Sequence, residues 1–314
     1  MNIPVVMIIG APRSGTSILG RVLDRHPRVS TWVEPYYIWD YHFREAPHDM
    51  LRAEDASSKI RYWIRKAFQN YHQAFNVDWV VDKSPRNCLK IPFVKTIFPE
   101  ALYIFLIRDG RDTIISIKKQ WEVKGGIFAD SEKPAQLKNR IRIIRRWLRR
   151  RPFWRLRFQS IFFEIGPPKY WLNKKFLNQI RWEGRFGWGP RFKGWQDVVD
   201  RTSLLEFSAY QWFHCIQGIL ENISSIPNEN RFILKYENFI EDPKTSIKNL
   251  FSFLHLEYPK GFMEMIPPIW ADNTNKWQKE LSLTDLKTIG PIIGKAMIDL
   301  DYEKNKSWYQ VIKS

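Results

Sequence analysis

The sequence predicts an α/β protein, a central parallel sheet with helices on both faces. Three observations carry that reading. Ile3 to Ile9 and Ala101 to Ile107 are continuous apolar runs, the pattern of strands buried on both faces. Segments with helical periodicity separate the candidate strands, an alternation that goes with parallel pairing. Between the first strand and the first helix stands a glycine turn, Gly10-Ala11-Pro12-Arg13-Ser14-Gly15-Thr16-Ser17.

Taken in order, Ile3 to Ile9 is the first strand. Ile18, Leu19, Val22 and Leu23 then recur at helical spacing until His26-Pro27 ends the helix. A short strand is expected near Val29 to Val33, and a long amphipathic helix around Ala53 to Phe75. Trp79 to Asp82 reads as a strand, followed by Lys83-Ser84-Pro85-Arg86 and a helix to about Phe98. After the strand Ala101 to Ile107, Arg108-Asp109-Gly110-Arg111-Asp112 turns the chain, and a helix starts near Asp112. From about Gln120 to Asp200 the pattern gives way to Trp, Phe, Arg, Gly and Pro, which reads as an insertion or lid outside the core sheet. Order returns with a helix from about Ser203 to Asn222 and a strand from Arg231 to Tyr236. Asp242-Pro243 opens the next helix, with Asp as N-cap and Pro in the first turn. A final helix is expected near Thr284 to Leu300.

The chain has 314 residues, enough for two domains or one α/β domain with an insertion. We read residues 1–314 as one domain with the insertion at 120–200 inside it. Hydrophobic residues at 44% and charged residues at 26% exclude a disordered chain. The apolar runs fall far short of the ~20 residues that a membrane-spanning helix needs. The first residues lack the basic, long apolar and small-residue segments of a signal peptide. Two cysteines, Cys88 and Cys215, exclude a disulfide scaffold and a cysteine-based zinc site, and suit a reducing cytosol. The expected location is therefore cytoplasmic, with peripheral membrane contact as an extension. Fifty Lys and Arg against thirty-three Asp and Glu leave a net charge of +17, which calls for an anionic partner. Fifteen tryptophans point to flat, partly exposed aromatic surfaces.

The glycine turn has the spacing G-x-x-x-x-G followed by Thr-Ser, in the strand-loop-helix setting that an anion loop requires. Its glycines let the backbone curl, its N–H groups converge, and the helix N-terminus adds a positive end. Thr16 stands where nucleoside triphosphatases carry a lysine, and Arg13 lies inside the turn instead. Such a loop suits a nucleotide with a single 5′-phosphate and a further group attached to it. The alternative is a plain tight turn that starts a helix.

Gly-Ala-Pro-Arg-Ser-Gly-Thr-Ser, together with Arg108-Asp-Gly-Arg-Asp and Ser116, resembles the sulfotransferase family that uses 3′-phosphoadenosine-5′-phosphosulfate, PAPS. The resemblance implies a P-loop NTPase-like fold. It also implies that Pro12, Arg13, Ser14, Gly15, Thr16 and Ser17 hold the 5′-phosphosulfate, and that Arg108 and Ser116, eight residues apart, hold the 3′-phosphate. Lys235-Tyr236-Glu237-Asn238 and Glu241-Asp242-Pro243 are similar to a further family segment, which brings Tyr236 to the nucleotide. Asn275-Lys276-Trp277 resembles a nucleotide-covering loop. Independently of the resemblance, two anion sites at the carboxyl ends of two strands suit a nucleotide phosphorylated at two positions. Arg108 can grip phosphate with a bidentate fork, or else form an ion pair with Asp109 or Asp112.

Sulfuryl transfer needs a charge-stabilised leaving phosphate, a held sulfuryl group and a base for the acceptor hydroxyl; positioning and electrostatics dominate its phosphoryl counterpart. Arg13 is the candidate for the leaving phosphosulfate oxygens. Lys83 resembles the family lysine that contacts the transferring group, the alternative being a solvated strand-end lysine. Glu34 is the candidate base. It follows a short strand at the same sheet edge, and its offset from Arg13 is similar to that of the glutamate base of protein-tyrosine sulfotransferases. Its alternative is an ion pair with an arginine of the lid. Among the six histidines, His26 reads as structural, while His42 and His48 could lie near the acceptor. No His or Cys cluster has metal-ligand spacing, and no metal is expected.

Lys133 to Arg157 holds eleven Lys and Arg and no acid, and Arg and Trp alternate from Arg181 to Trp195. Either a helix packs one face and solvates the other, or the segment docks sugars, anionic lipids or nucleic acid. The expected function is sulfuryl transfer from PAPS to an acceptor hydroxyl, on a carbohydrate or glycolipid for instance, leaving adenosine 3′,5′-bisphosphate. The alternatives are a small-molecule or nucleotide kinase, and a basic module that binds membrane or nucleic acid; no specific nucleic acid partner is expected.

Overall fold

The computed structural model describes residues 3–123, 181–183, 187–269 and 273–310. Five parallel strands form one sheet in the order β2-β3-β1-β4-β5. They are β1 (Val5–Ile9), β2 (Val29–Val33), β3 (Trp79–Lys83), β4 (Leu102–Ile107) and β5 (Arg231–Lys235). β1 is central, pairing Val5 with Val80 on one side and Val6 with Leu102 on the other.

The apolar runs are continuous because the sheet is covered twice. Val5, Met7 and Ile9, with Tyr103, Phe105 and Ile107, enter one hydrophobic cluster. Val6 and Ile8, with Leu102, Ile104 and Leu106, enter the other. Successive side chains alternate between faces, so a strand covered on both sides has no polar position to offer. The first face carries α3 (Ser58–Phe75), α4 (Ile91–Ile97) and α5 (Gly110–Val123). The second carries α1 (Thr16–Leu23) and, past β5, the helices Tyr236–Glu241 and Pro243–Phe253. The helix Leu204–Asn222 packs against α5 and the helix Leu283–Asp299, on the first face.

Helix starts follow their caps. Ser203 accepts from Glu206 N while Glu206 reaches back to Ser203, and Ser282 and Asp285 form the same reciprocal pair. Asp242 accepts from Thr245 N at 3.0 Å, the N-cap expected there. Such caps contribute roughly 1 kcal/mol each.

The structure differs from the expectation at three places. The long helix begins at Ser58, since Ser57 caps it, and Ala53–Asp55 is a separate 3₁₀ turn. The segment after β3 splits into a 3₁₀ turn, Pro85–Leu89, and α4, which restarts with Pro92 in its first turn. The third concerns residues 120–200. α5 runs through Gln120 to Val123, and Trp121, Trp182, Phe192, Trp195 and Val199 lie in the same core as the sheet. Their indoles are paired inside: Trp121 Nε1 donates to Gln211 Oε1 at 2.8 Å and Trp195 Nε1 to Pro47 O at 2.9 Å. The Arg and Trp of 181–195 that are described thus pack inward, where sequence composition pointed to exposed surfaces. Lys133 to Arg157 lies outside the described residues. Among the described residues no helix is long and apolar enough to cross a membrane.

Candidate active site

Parallel strands bring all their carboxyl ends to one edge. In spatial order along it, Glu34 follows β2, Lys83 ends β3, the glycine turn follows β1, Arg108 follows β4 and Tyr236 follows β5. Four inter-strand steps of about 4.8 Å make this a row roughly 19 Å long. β1 and β4 are neighbours, yet α1 and α5 leave them to opposite faces of the sheet. The crevice that opens at such a switch point is where open α/β sheets take ligands.

Arg13 and Gly15 adopt positive φ values of 70° and 98°, with Ser14 between them hydrogen-bonded back to Ala11 O through its N–H (3.2 Å) and its hydroxyl (2.7 Å). A turn of this kind aims successive N–H groups into one concavity. Gly15 caps α1 without a side-chain acceptor, so the first-turn N–H groups of Thr16 and Ser17 have no intrahelical partner. A Cβ at Gly15 would stand 2.4 Å from the Tyr236 ring, and one at Gly10 2.6 Å from Leu106 O. Close packing therefore requires both glycines, and the left-handed backbone requires Gly15 a second time.

Two guanidinium groups converge on this turn. Arg13 Nε donates to Ser116 Oγ at 3.1 Å, and Arg108 Nη1 donates to Arg13 O at 3.0 Å. Desolvation, and then the positive charge of Arg108, hold Arg13 below the ordinary arginine pKa. Arg108 is 7% exposed, lies 4.5 Å over the Tyr236 ring, and also donates to Asn273 O. The Asp112 carboxylate is 3.7 Å away, so the alternative ion pair is present but loose. Arg108 Nε is buried without a hydrogen-bond partner.

At the other end of the row Lys83 Nζ donates to Glu34 Oε1. The lysine side chain is 3% exposed and the glutamate 42%. Register explains the meeting: Val33 pairs with Lys83, and Glu34 N donates to Lys83 O at 3.0 Å. Glu34 has φ 53°, a left-handed conformation that a non-glycine residue adopts at a cost of about 1–3 kcal/mol. It turns the chain from β2 into α2 (Tyr36–Trp39). Below the pair, Asp82 accepts from Trp39 Nε1 at 2.9 Å and Asn87 Nδ2 at 3.1 Å. Burial pushes the Asp82 carboxyl up to about 6, against the hydrogen bond from Trp39 and the positive charges of Lys90 and Lys83.

Lys276 is exposed and donates to Asn273 Oδ1 at 2.8 Å, while Trp277 N donates to Asp112 Oδ1 at 2.9 Å. The Trp277 ring lies under the Arg111 guanidinium at 3.8 Å. The three histidines considered from the sequence have partners of their own. His26 bridges Glu257 O and Arg28 N, His42 packs edge-on against Tyr41, and His48 lies beside Arg191 and Asp49. A buried network was not legible in the sequence: Asp49 pairs with Arg181 (2.5 Å) and Arg191 (3.2 Å), and Asp40 with Arg86 (2.9 Å). Arg86 also covers the Tyr36 ring at 3.3 Å, two residues from Glu34.

Converging N–H groups, two arginines and hydroxyl donors at a switch point make a cradle whose chemistry suits an anion. The chain belongs to the sulfotransferase family, whose family model matches residues 4–165. That span contains Arg13, Glu34, Lys83, Arg108 and Ser116. The chain is 33% identical over 132 residues to protein-tyrosine sulfotransferase A of Caenorhabditis elegans, covering 36% of this chain and 33% of that protein. It is 26% identical over 134 residues to nodulation protein NoeE of Sinorhizobium fredii, covering 38% and 32%. The chain thus spans about a third of the length of these curated relatives. Among solved structures it is similar to the sulfotransferase domain from the curacin biosynthetic pathway, with a TM-score of 0.56 at 13% identity over 96% of this chain and 99% of that one. The architecture is therefore the P-loop NTPase-like fold of sulfotransferases.

Proposed function

We propose that the protein transfers a sulfuryl group from PAPS to an acceptor hydroxyl. The observation that supports this best is the meeting of Arg13, Arg108 and Ser116, which joins the anion loop after β1 to the basic turn after β4. The donor set is cationic and hydroxylic, and the unpartnered buried Arg108 Nε fits a phosphate as its acceptor. Bound PAPS supplies the sulfuryl group and carries phosphates at its 5′ and 3′ positions.

Residues Pro12 to Ser17 form the loop that holds the 5′ end, with the N–H groups of Gly15, Thr16 and Ser17 as its backbone donors, and Arg13 stabilises the charge that develops on the leaving phosphate oxygen. Arg108 and Ser116 grip the 3′-phosphate. Tyr236 orients Arg108 by lying under it, and Lys276 and Trp277 cover the nucleotide. Lys83 holds the sulfuryl oxygens. Glu34, beside it, takes the acceptor proton. The strand order supports this reading, since Lys83 at the end of β3 stands between Glu34 after β2 and the anion loop after β1.

Adenosine 3′,5′-bisphosphate is expected to raise the melting temperature far more than ATP with magnesium. At a hundredfold excess over its Kd, a ligand of the native state adds about 2.7 kcal/mol. A larger shift with magnesium-ATP would favour a kinase and overturn the reading. In Arg108→Ala and Ser116→Ala, affinity is expected to fall mainly for ligands with a 3′-phosphate, by roughly 1.5–3 kcal/mol for each charge-assisted bond. Equal losses for the bisphosphate and for adenosine 5′-monophosphate, read by calorimetry, would remove the 3′ assignment.

A further inference from the structure

We propose that Arg111 is a positioning residue for the nucleotide site, and that residues 301–310 belong to that site through it. The proposal rests on the cofactor reading above.

Arg111 opens α5 and is 4% exposed. Its guanidinium binds groups from three separate parts of the chain. Asp109, in the turn after β4, receives Nη2 at 2.7 Å and Nε at 3.1 Å. Glu303 receives Nη1. The indole of Trp277 lies 3.8 Å from the guanidinium carbon, and that of Trp308 5.2 Å from it. The segment 301–310 is fastened at two further points. Tyr302 Oη donates to Glu237 Oε2 at 2.7 Å, and the other oxygen of Glu237 accepts from Asp109 N at 3.0 Å. The Tyr309 ring fills the space beside Gly290 and Gly294, where a Cβ would stand 2.2 Å and 2.6 Å from it.

Two consequences follow for nucleotide binding. Asn273 to Trp277 is moored by Arg108 at Asn273 O, by Asp112 at Trp277 N and by Arg111 at the Trp277 ring. Only the last of these fixes the indole plane, and a planar guanidinium stacks there where an ammonium would not. Asp109, next to Arg108 in sequence, is meanwhile committed to Arg111. The positive charge of Arg108 is left for an anion, the 3.7 Å contact to Asp112 being its one ion pair among the described residues. Arg111 thus acts on the ligand through Trp277 and Arg108, and Glu303 and Trp308 act through Arg111.

Calorimetric titration of the full chain with adenosine 3′,5′-bisphosphate, alongside melting temperatures, tests this. Arg111→Lys, Glu303→Gln and Trp308→Ala are each expected to weaken binding about 3- to 30-fold, the range of couplings carried through packed networks. Arg111→Lys keeps the charge, so its loss reports the stacked plane and the fork. Should it fail to fold, Glu303→Gln and Trp308→Ala carry the test from the half-buried side. A purely structural tie predicts lower melting temperatures with Kd unchanged in all three variants, and that result would overturn the proposal. Arg108→Ala is the reference: if it loses affinity while the three variants do not, only the role of Arg111 fails. If Arg108→Ala also binds normally, the cofactor reading fails with it.

Discussion

Glu34→Gln is expected to lower turnover by about 10²–10⁴-fold, the contribution of a positioned base, while the affinity for adenosine 3′,5′-bisphosphate stays the same. Gln is nearly isosteric and still accepts a hydrogen bond from Lys83, so the contact between Glu34 and Lys83 survives in form. What is lost is the ability to take a proton. The Glu34 carboxylate is 42% exposed at the sheet edge, open to an acceptor, while its partner lysine is buried. Its left-handed backbone is the kind of local strain that clusters at functional sites. If Glu34 only neutralised Lys83, the variant would melt earlier and turn over normally per folded molecule. Melting temperature, nucleotide affinity and turnover on one preparation separate the two. Surviving turnover would move the search for a base to His42 and His48.

Lys83→Met is expected to cost about 10²–10³ in kcat, the effect of removing one preorganised donor from developing charge. Methionine keeps the apolar stem that packs beside Gly20, where a Cβ would stand 3.5 Å from the Lys83 side chain. It removes only the ammonium. Adenosine 3′,5′-bisphosphate has no sulfuryl group, so its Kd is expected to be unchanged. The exposure of Glu34 limits the damage from leaving it without its lysine. A variant that loses nucleotide affinity as much as kcat would place Lys83 on the nucleotide instead. A lower melting temperature with normal kcat would make it a structural partner of Glu34.

The part of the fold that sequence makes legible is the sheet and its edge. Ile3 to Ile9 and Ala101 to Ile107 stand out because both faces of β1 and β4 are covered, which removes the polar half of the usual alternation. The glycine turn is legible because Gly10 and Gly15 have no substitute where Leu106 O and the Tyr236 ring press on them. Glu34, Lys83 and Arg108 stand at the ends of strands and Arg13 in the turn after β1, and parallel pairing brings those ends to one edge. Side-chain partnership across long sequence separation leaves no local pattern. Asp49 meets Arg191, and Arg111 meets Glu303, with nothing in their neighbours to announce it. Composition also misleads where burial decides. The run from Arg181 to Trp195 has the look of a surface, yet Trp182 and Trp195 are core residues, because Asp49 neutralises Arg181 and Arg191 beside them and Pro47 O takes an indole N–H.

The central claim is that one ligand spans the loop after β1 and the turn after β4. A crystal structure with adenosine 3′,5′-bisphosphate tests it most directly. The 5′-phosphate is expected within hydrogen-bond reach, about 2.7–3.2 Å, of Arg13 and the N–H groups of Gly15 to Ser17. The 3′-phosphate is expected on Arg108 and Ser116, with Lys83 and Glu34 beyond the 5′ end. A nucleotide bound with its 3′-phosphate away from Arg108, or with Lys83 and Glu34 remote from its 5′-phosphate, would contradict the claim.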